Sequence, residues 1–151
     1  MKNIALLFVC LVIFGCSKEA SLDQDELVFG IYSAFCRSEC TNLYLYKDKK
    51  IFAQTQKFRF VEDVKYSTTP LAKEKYEAAL KVLALMPAEI KNAKENIGCP
   101  GCVDEPLIYL GFKEGADQTR VLYVDIQEND LPTSLRSYVK DFLNMMDVLG
   151  K

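Results

Sequence analysis

The cysteines are the residues of this sequence with the clearest capacity for chemistry. The chain has six of them in 151 residues, and four form two closely spaced pairs, Cys36 with Cys40 and Cys99 with Cys102. Such pairs can oxidise to disulfides, hold a zinc ion as thiolates, or exchange electrons as a C-x-x-C motif. Which of these three chemistries is favoured depends on whether the protein resides in an oxidising or a reducing compartment.

The N-terminus carries an export signal. Lys2 precedes an unbroken apolar run, Ile4 to Phe14, which is shorter than the roughly 20 residues that span a bilayer. Its length and flanks are typical of a secretory signal peptide. Residues 13–16, Ile-Phe-Gly-Cys, resemble a bacterial lipobox. The resemblance implies cleavage before Cys16 and acylation of its sulfur and new amine, and several acyl chains anchor a protein stably.

This signal divides the chain into three parts. Residues 1–15 are the predicted signal peptide, residues 16–25 the lipidated cysteine and a polar tether, and residues 26–151 a single domain. Ser17, rather than Asp, follows the cysteine, which by analogy with lipoprotein sorting implies the outer membrane. The domain would face either the periplasm or the cell surface.

Export places the four remaining thiols in an oxidising compartment, where an even number of cysteines indicates disulfides. Three pairings of Cys36, Cys40, Cys99 and Cys102 are possible. We expect bonds either within or across the two pairs, stapling loops at one end of the sheet. A bond across the pairs would close a loop of about 60 residues and contribute roughly 4 kcal/mol in the chain-entropy model, more than a local bond.

The other two thiol chemistries fit less well. C-x₃-C followed by C-x₂-C supplies four zinc ligands, but the compartment favours oxidation. A thioredoxin-like motif places its first cysteine at a helix N-terminus, whereas here Asp104, Glu105 and Pro106 lead into a strand. Negative charge disfavours a thiolate. We therefore expect no metal and no cofactor.

Other catalytic arrangements have little support. The chain has no histidine, which excludes histidine-dependent acid–base catalysis. The adjacent carboxylates Glu62–Asp63 and Asp104–Glu105 would point to opposite faces of a strand. Residues 125–130 hold three carboxylates without the spacing of a calcium loop. A net charge of −2 provides no basic field for nucleic acid.

The elements that must position these residues follow from hydrophobic periodicity. The predicted strands are residues 27–35, 41–46, 51–61, 106–112 and 119–126. The predicted helices are residues 71–86, with possible extra turns over 88–95, and a C-terminal helix capped by Asp130. The order β-β-β-α-β-β-α predicts an α+β fold, an antiparallel sheet with two helices packed on one face.

Two sets of apolar residues locate the expected core. The C-terminal helix has a stripe spaced 4-3-4-3, formed by Leu135, Val139, Phe142, Met146 and Leu149. Tyr44 and Tyr46 share one strand face, and Tyr32 lies on the preceding strand. If exposed, these tyrosines would form a binding surface; if covered by helices, they would be core residues.

The arrangement of C-x₃-C, T-N-L-Y and I-G-C-P-G-C-V-D before a hairpin and a terminal helix resembles small lipoproteins of Bacteroidetes-type bacteria. The resemblance implies an exported, anchored domain and supplies no catalytic residues. We expect a non-enzymatic binding domain whose partner is another envelope protein, a protease or hydrolase that it inhibits, or a glycan. The alternatives are a thiol redox protein and a carboxylate-based hydrolase.

Overall fold

The computed structural model describes residues 22, 25–33, 35–113 and 119–151. The expected signal peptide, Cys16 and most of the expected tether lie outside the described residues. Most of the turn between the predicted strands 106–112 and 119–126 also lies outside them. Lipidation and anchoring therefore stay predictions.

Among these described residues, five antiparallel strands form one sheet in the order β3-β2-β1-β4-β5. Their bounds are β1 Glu26–Tyr32, β2 Thr41–Lys47, β3 Lys50–Ala53, β4 Leu107–Lys113 and β5 Thr119–Val124. The two-residue turn between β2 and β3 has positive φ at Asp48 and Lys49, as a tight hairpin requires. The predicted α+β antiparallel architecture is confirmed.

Within the part of the chain that the structure describes, three α-helices accompany the sheet: α1 Lys73–Leu83, α2 Ala88–Lys91 and α3 Thr133–Gly150. The helix α1 begins two residues later than expected, and the short α2 follows Pro87. We had expected Asp130 to cap α3, but it does not. It belongs to a 3₁₀ turn over Glu128–Asp130, and Pro132 occupies the N-cap position without a side-chain hydrogen bond. Within the described residues, no helix has the length and apolar character needed to cross a membrane.

The helices cover one face of the sheet and form the core with it. Leu27 and Phe29 of β1 face the helices together with Leu110 of β4, and all three are buried. The Phe142 ring of α3 meets the Phe29 ring edge-to-face, with centroids 6.4 Å apart. All five residues of the predicted α3 stripe are buried. Burial of this stripe against the strands, rather than helix propensity, holds α3 in place.

The strand β3 is much shorter than predicted, ending at Ala53 instead of Val61. The Gln54 side chain takes over the next ladder positions, because its amide accepts from the Leu43 N–H and donates to the Thr41 carbonyl, both at 2.8 Å. The Phe58 carbonyl then accepts the Thr41 N–H. Residues 54–67 consequently leave the ladder, and the Gln54–Tyr66 bridge closes them into a loop beside the sheet.

The strand β1 also ends earlier than predicted, at Tyr32 rather than Phe35. Its central position depends on Gly30, which has φ +152°. A Cβ at this position would collide with the backbone carbonyl oxygen of Asn42 on β2. Only glycine therefore allows β1 and β2 to approach this closely.

Candidate functional site

The four cysteines of the domain form two local disulfides, Cys36–Cys40 and Cys99–Cys102, each with a Cα–Cα distance of 5.5 Å. The structure thus selects bonds within the pairs rather than across them. With sequence separations of 4 and 3, each bond contributes about 2 kcal/mol in the chain-entropy model. They restrain individual loops and do not tie distant parts of the chain together.

Both disulfide loops lie at the same end of the sheet. Tyr32, the last residue of β1, pairs with Thr41 on one side and with Leu107 on the other. The loop that contains Cys36–Cys40 joins β1 to β2 at this end, and the loop that contains Cys99–Cys102 leads into β4 beside it. Antiparallel register alone brings the two loops to this end.

A buried carboxylate anchors the second loop. Asp125 is 5 % exposed, and its Oδ2 accepts the Cys99 N–H at 2.9 Å while its Oδ1 accepts the Gln127 N–H at 2.8 Å. Gly98, with φ +78°, allows the chain to pass against this side chain. Asp125 thereby connects the disulfide loop to the end of β5.

Each disulfide loop presents an exposed apolar side chain directly beside a cysteine. Phe35 precedes Cys36, and Val103 follows Cys102; both side chains are exposed. Exposure of a large apolar group is unfavourable unless a partner covers it. The disulfides restrict the conformations of these two loops, which lowers the entropy lost when they bind a partner.

A group of tyrosines occupies the sheet face opposite the helices, and we call this group the tyrosine face: Tyr32, Tyr66, Tyr109 and Tyr123. Tyr109 and Tyr123 are a cross-strand pair with ring centroids 5.7 Å apart. The Tyr32 ring lies 6.3 Å from that of Tyr123. Gly111 leaves room for the Tyr109 side chain, whose tip would be 3.3 Å from an added Cβ.

Burial disfavours the charged form of three tyrosines of this face, Tyr66, Tyr109 and Tyr123. Burial raises the pKa of Tyr109 to about 12, with further contributions from Tyr123 and from the negative charge of Glu62. Burial likewise raises the pKa of Tyr123 and of Tyr66. Glu62 belongs to the loop of residues 54–67, which the Gln54–Tyr66 bridge holds beside the sheet. These phenols can donate and accept hydrogen bonds, but they are poor bases at neutral pH.

The three tyrosines considered from the sequence therefore fall on two faces. Tyr44 and Tyr46 are buried in the helix-covered core, whereas Tyr32 belongs to the tyrosine face. Tyr109 and Tyr123 were missed because the segments around them are apolar on both strand faces, which hides the period of two. Tyr109 lies two positions from Gly111 in β4, so the two share a strand face, and Tyr123 is the cross-strand partner of Tyr109. A glycine on that face was a sequence signal that could have placed Tyr109 away from the helices.

The other chemical arrangements considered from the sequence are a zinc site, a redox C-x-x-C motif and a pair of catalytic carboxylates. Across the described part of the chain, no three Cys, Asp or Glu side chains gather closely enough to hold a metal ion together. Cys99 lies in a turn that leads to β4, where its N–H binds a carboxylate, and not at the start of a helix. A cleft beside α3 contains one carboxylate, Glu128, where a glycosidase-type site requires two.

No family model, curated protein or solved structure matches this chain.

Proposed function

We propose that the protein is an outer-membrane lipoprotein, anchored through Cys16, whose domain binds another protein of the cell envelope without catalysing a reaction. The observation that carries the binding function is that both disulfide loops lie at the sheet end where Tyr32 lies and that each exposes an apolar side chain, Phe35 or Val103. The sequence features that support anchoring are the apolar leader and the lipobox-like residues 13–16.

The composition of this surface favours a protein partner over a glycan. Val121, on the tyrosine-face side of β5, adds a further exposed apolar side chain to Phe35 and Val103. Tyrosine and phenylalanine are enriched at protein interfaces, where rigid aromatic rings bury a large area at low entropic cost. A glycan would require a denser set of polar partners than these aliphatic side chains offer.

The binding function is tested by photo-crosslinking in intact cells. A photoreactive phenylalanine analogue replaces Phe35 in one variant and Asp48 in a matched control; Asp48 is exposed in the β2–β3 turn, at the opposite end of the sheet. We expect a discrete crosslinked product from position 35 only, and its loss when Val103→Ser is added. Equal products from both positions, or none from position 35, would contradict the proposed surface.

The anchor is tested separately by labelling cells with radioactive palmitate. We expect the full chain to incorporate label, Cys16→Ser to lose it, and the control Cys10→Ser to retain it. Unlabelled wild-type protein recovered from the cytosol would refute the lipoprotein assignment while leaving the structural argument for the binding surface intact.

A further inference from the structure

A second surface, unrelated to the tyrosine face, lies between α1 and α3. These helices bound an open groove of about 350 Å³. Its apolar lining consists of Ala78 and Val82 from α1, Leu85 just beyond the end of α1, and Tyr138, Met145 and Val148 from α3. Leu85 is 72 % exposed and Val148 is 45 % exposed. Each wall of the groove therefore has an exposed apolar residue.

The two walls of the groove run antiparallel. Near one end, Lys75 Nζ of α1 donates to the carbonyl oxygen of Leu149 on α3 at 2.9 Å. From this contact, Lys81 lies about 9 Å along α1 and Asp141 about 12 Å along α3, at about 1.5 Å per residue. Lys81 and Asp141 both line the groove, so opposite charges stand at similar heights on its two walls.

Neither charge has an ion-pair partner within 4.0 Å among the described residues. Unpaired charges and exposed apolar side chains thus occur together in one groove.

We propose that this groove binds a second copy of the same chain in an isologous dimer. A two-fold axis parallel to the groove places α1 of each copy over α3 of the other, and residues at the same height then meet. Lys81 of each copy faces Asp141 of the other, because a two-fold axis makes every such contact twice. Leu85 covers Tyr138 of the opposite copy, and Val148 packs near Ala78. The surface is complementary to itself in both charge and apolar pattern.

This dimer is independent of the proposed envelope partner. The groove lies on the helix layer, and the tyrosine face lies on the other side of the sheet. A dimer would present two copies of the tyrosine face and its disulfide loops. Failure of the photo-crosslinking experiment at position 35 would leave the dimer untouched, and failure of the dimer would leave the binding surface untouched.

The contact is tested with isotope-mixed crosslinking of the full chain in mild detergent. Equal amounts of ¹⁴N- and ¹⁵N-labelled protein are mixed and treated with a carbodiimide, which joins an amine directly to a carboxylate. We expect a peptide linking Lys81 to Asp141 in which half of the product carries one light and one heavy partner. Recovery of this link only as light–light and heavy–heavy species, or its absence, overturns the proposal.

Charge reversal provides a second test with an internal rescue. In Lys81→Glu, two acidic residues face each other at each contact, and in Asp141→Lys two basic residues do. We expect each single variant to weaken dimerisation at least tenfold in sedimentation equilibrium, while an equimolar mixture of the two forms a heterodimer whose contacts are again complementary. Circular dichroism confirms that each variant is folded. Unchanged dimerisation of both single variants, or no heterodimer in the mixture, overturns the proposal.

Discussion

Replacing Asp125 by Asn probes the link between the second disulfide loop and the sheet. The substitution preserves the shape of the side chain and removes its charge. Asn retains one acceptor oxygen, so it can serve the N–H of Cys99 or of Gln127, but not both. Its amide group would then face a backbone N–H, placing donor against donor at a buried position.

The expected cost follows from the two hydrogen bonds, at 2.9 and 2.8 Å. Hydrogen bonds to a charged group contribute about 1.5–3 kcal/mol each, and neutral ones about 1 kcal/mol. Losing one and weakening the other destabilises the fold by about 2–4 kcal/mol. For a domain of this size each kcal/mol lowers the Tm by about 4 °C, so we expect a decrease of about 8–16 °C.

The assay is equilibrium denaturant unfolding followed by circular dichroism, with Asp104→Asn as the control. Asp104 is exposed in the same loop region, and its substitution should change the free energy of unfolding by less than about 0.5 kcal/mol. Hydrogen exchange gives a local readout, because the amides of Cys99 and Gln127 should lose protection in Asp125→Asn. A free energy of unfolding within 0.5 kcal/mol of the wild type, with both amides still protected, would refute the assigned role.

Three further perturbations test other parts of the structure. Gly30→Ala should destabilise the domain by at least about 3 kcal/mol in urea unfolding, because the added Cβ meets the Asn42 carbonyl oxygen at a positive φ. The control Gly150→Ala adds a Cβ in open space and should be neutral or slightly stabilising. Equal effects of the two substitutions would contradict the close approach of β1 to β2. Phe142→Ala should lower the free energy of unfolding in guanidinium by about 3–5 kcal/mol because this ring is fully buried. A decrease below about 1 kcal/mol would contradict the packing of α3 on the sheet. The pKa of Tyr109 is raised from 10.0 to about 12, so the contribution of this hydroxyl to the free energy of unfolding is complete below pH 10. Above pH 10 the unfolded chain deprotonates first, and this contribution declines by up to about 1.4 kcal/mol per pH unit. Tyr109→Phe should therefore flatten the fall in the urea midpoint between pH 10 and 12, and an unaltered slope would count against the burial of this hydroxyl.

The local elements could largely be predicted from the sequence, and their ends could not. The α3 stripe was correctly placed because a period near 3.6 extends over the whole helix. The strand β3 was predicted too long because residues 54–61 keep a strand-like composition, while the Gln54 side chain replaces the backbone in the ladder. Such a substitution depends on Thr41 and Leu43, which are more than ten positions away in sequence.

The candidate surface was only partly predictable. The oxidation of the four cysteines was expected from their even number and from the predicted export signal. Their pairing depended on the backbone conformation of two loops, and the exposure of Phe35 and Val103 depended on which end of the sheet those loops share. The separation of Tyr32 from Tyr44 and Tyr46 required the strand register.

The sequence by itself determined the element types, the α+β class, the amphipathic face of α3 and the residues available for disulfides, because these depend on local periodicity and side-chain chemistry. Only the tertiary structure decided the strand order β3-β2-β1-β4-β5, the gathering of four tyrosines on the sheet face opposite the helices, the burial of Asp125 and the groove between α1 and α3. These features arise from contacts between residues far apart in the chain, and a hydrophobic pattern specifies that a face is buried without specifying what buries it.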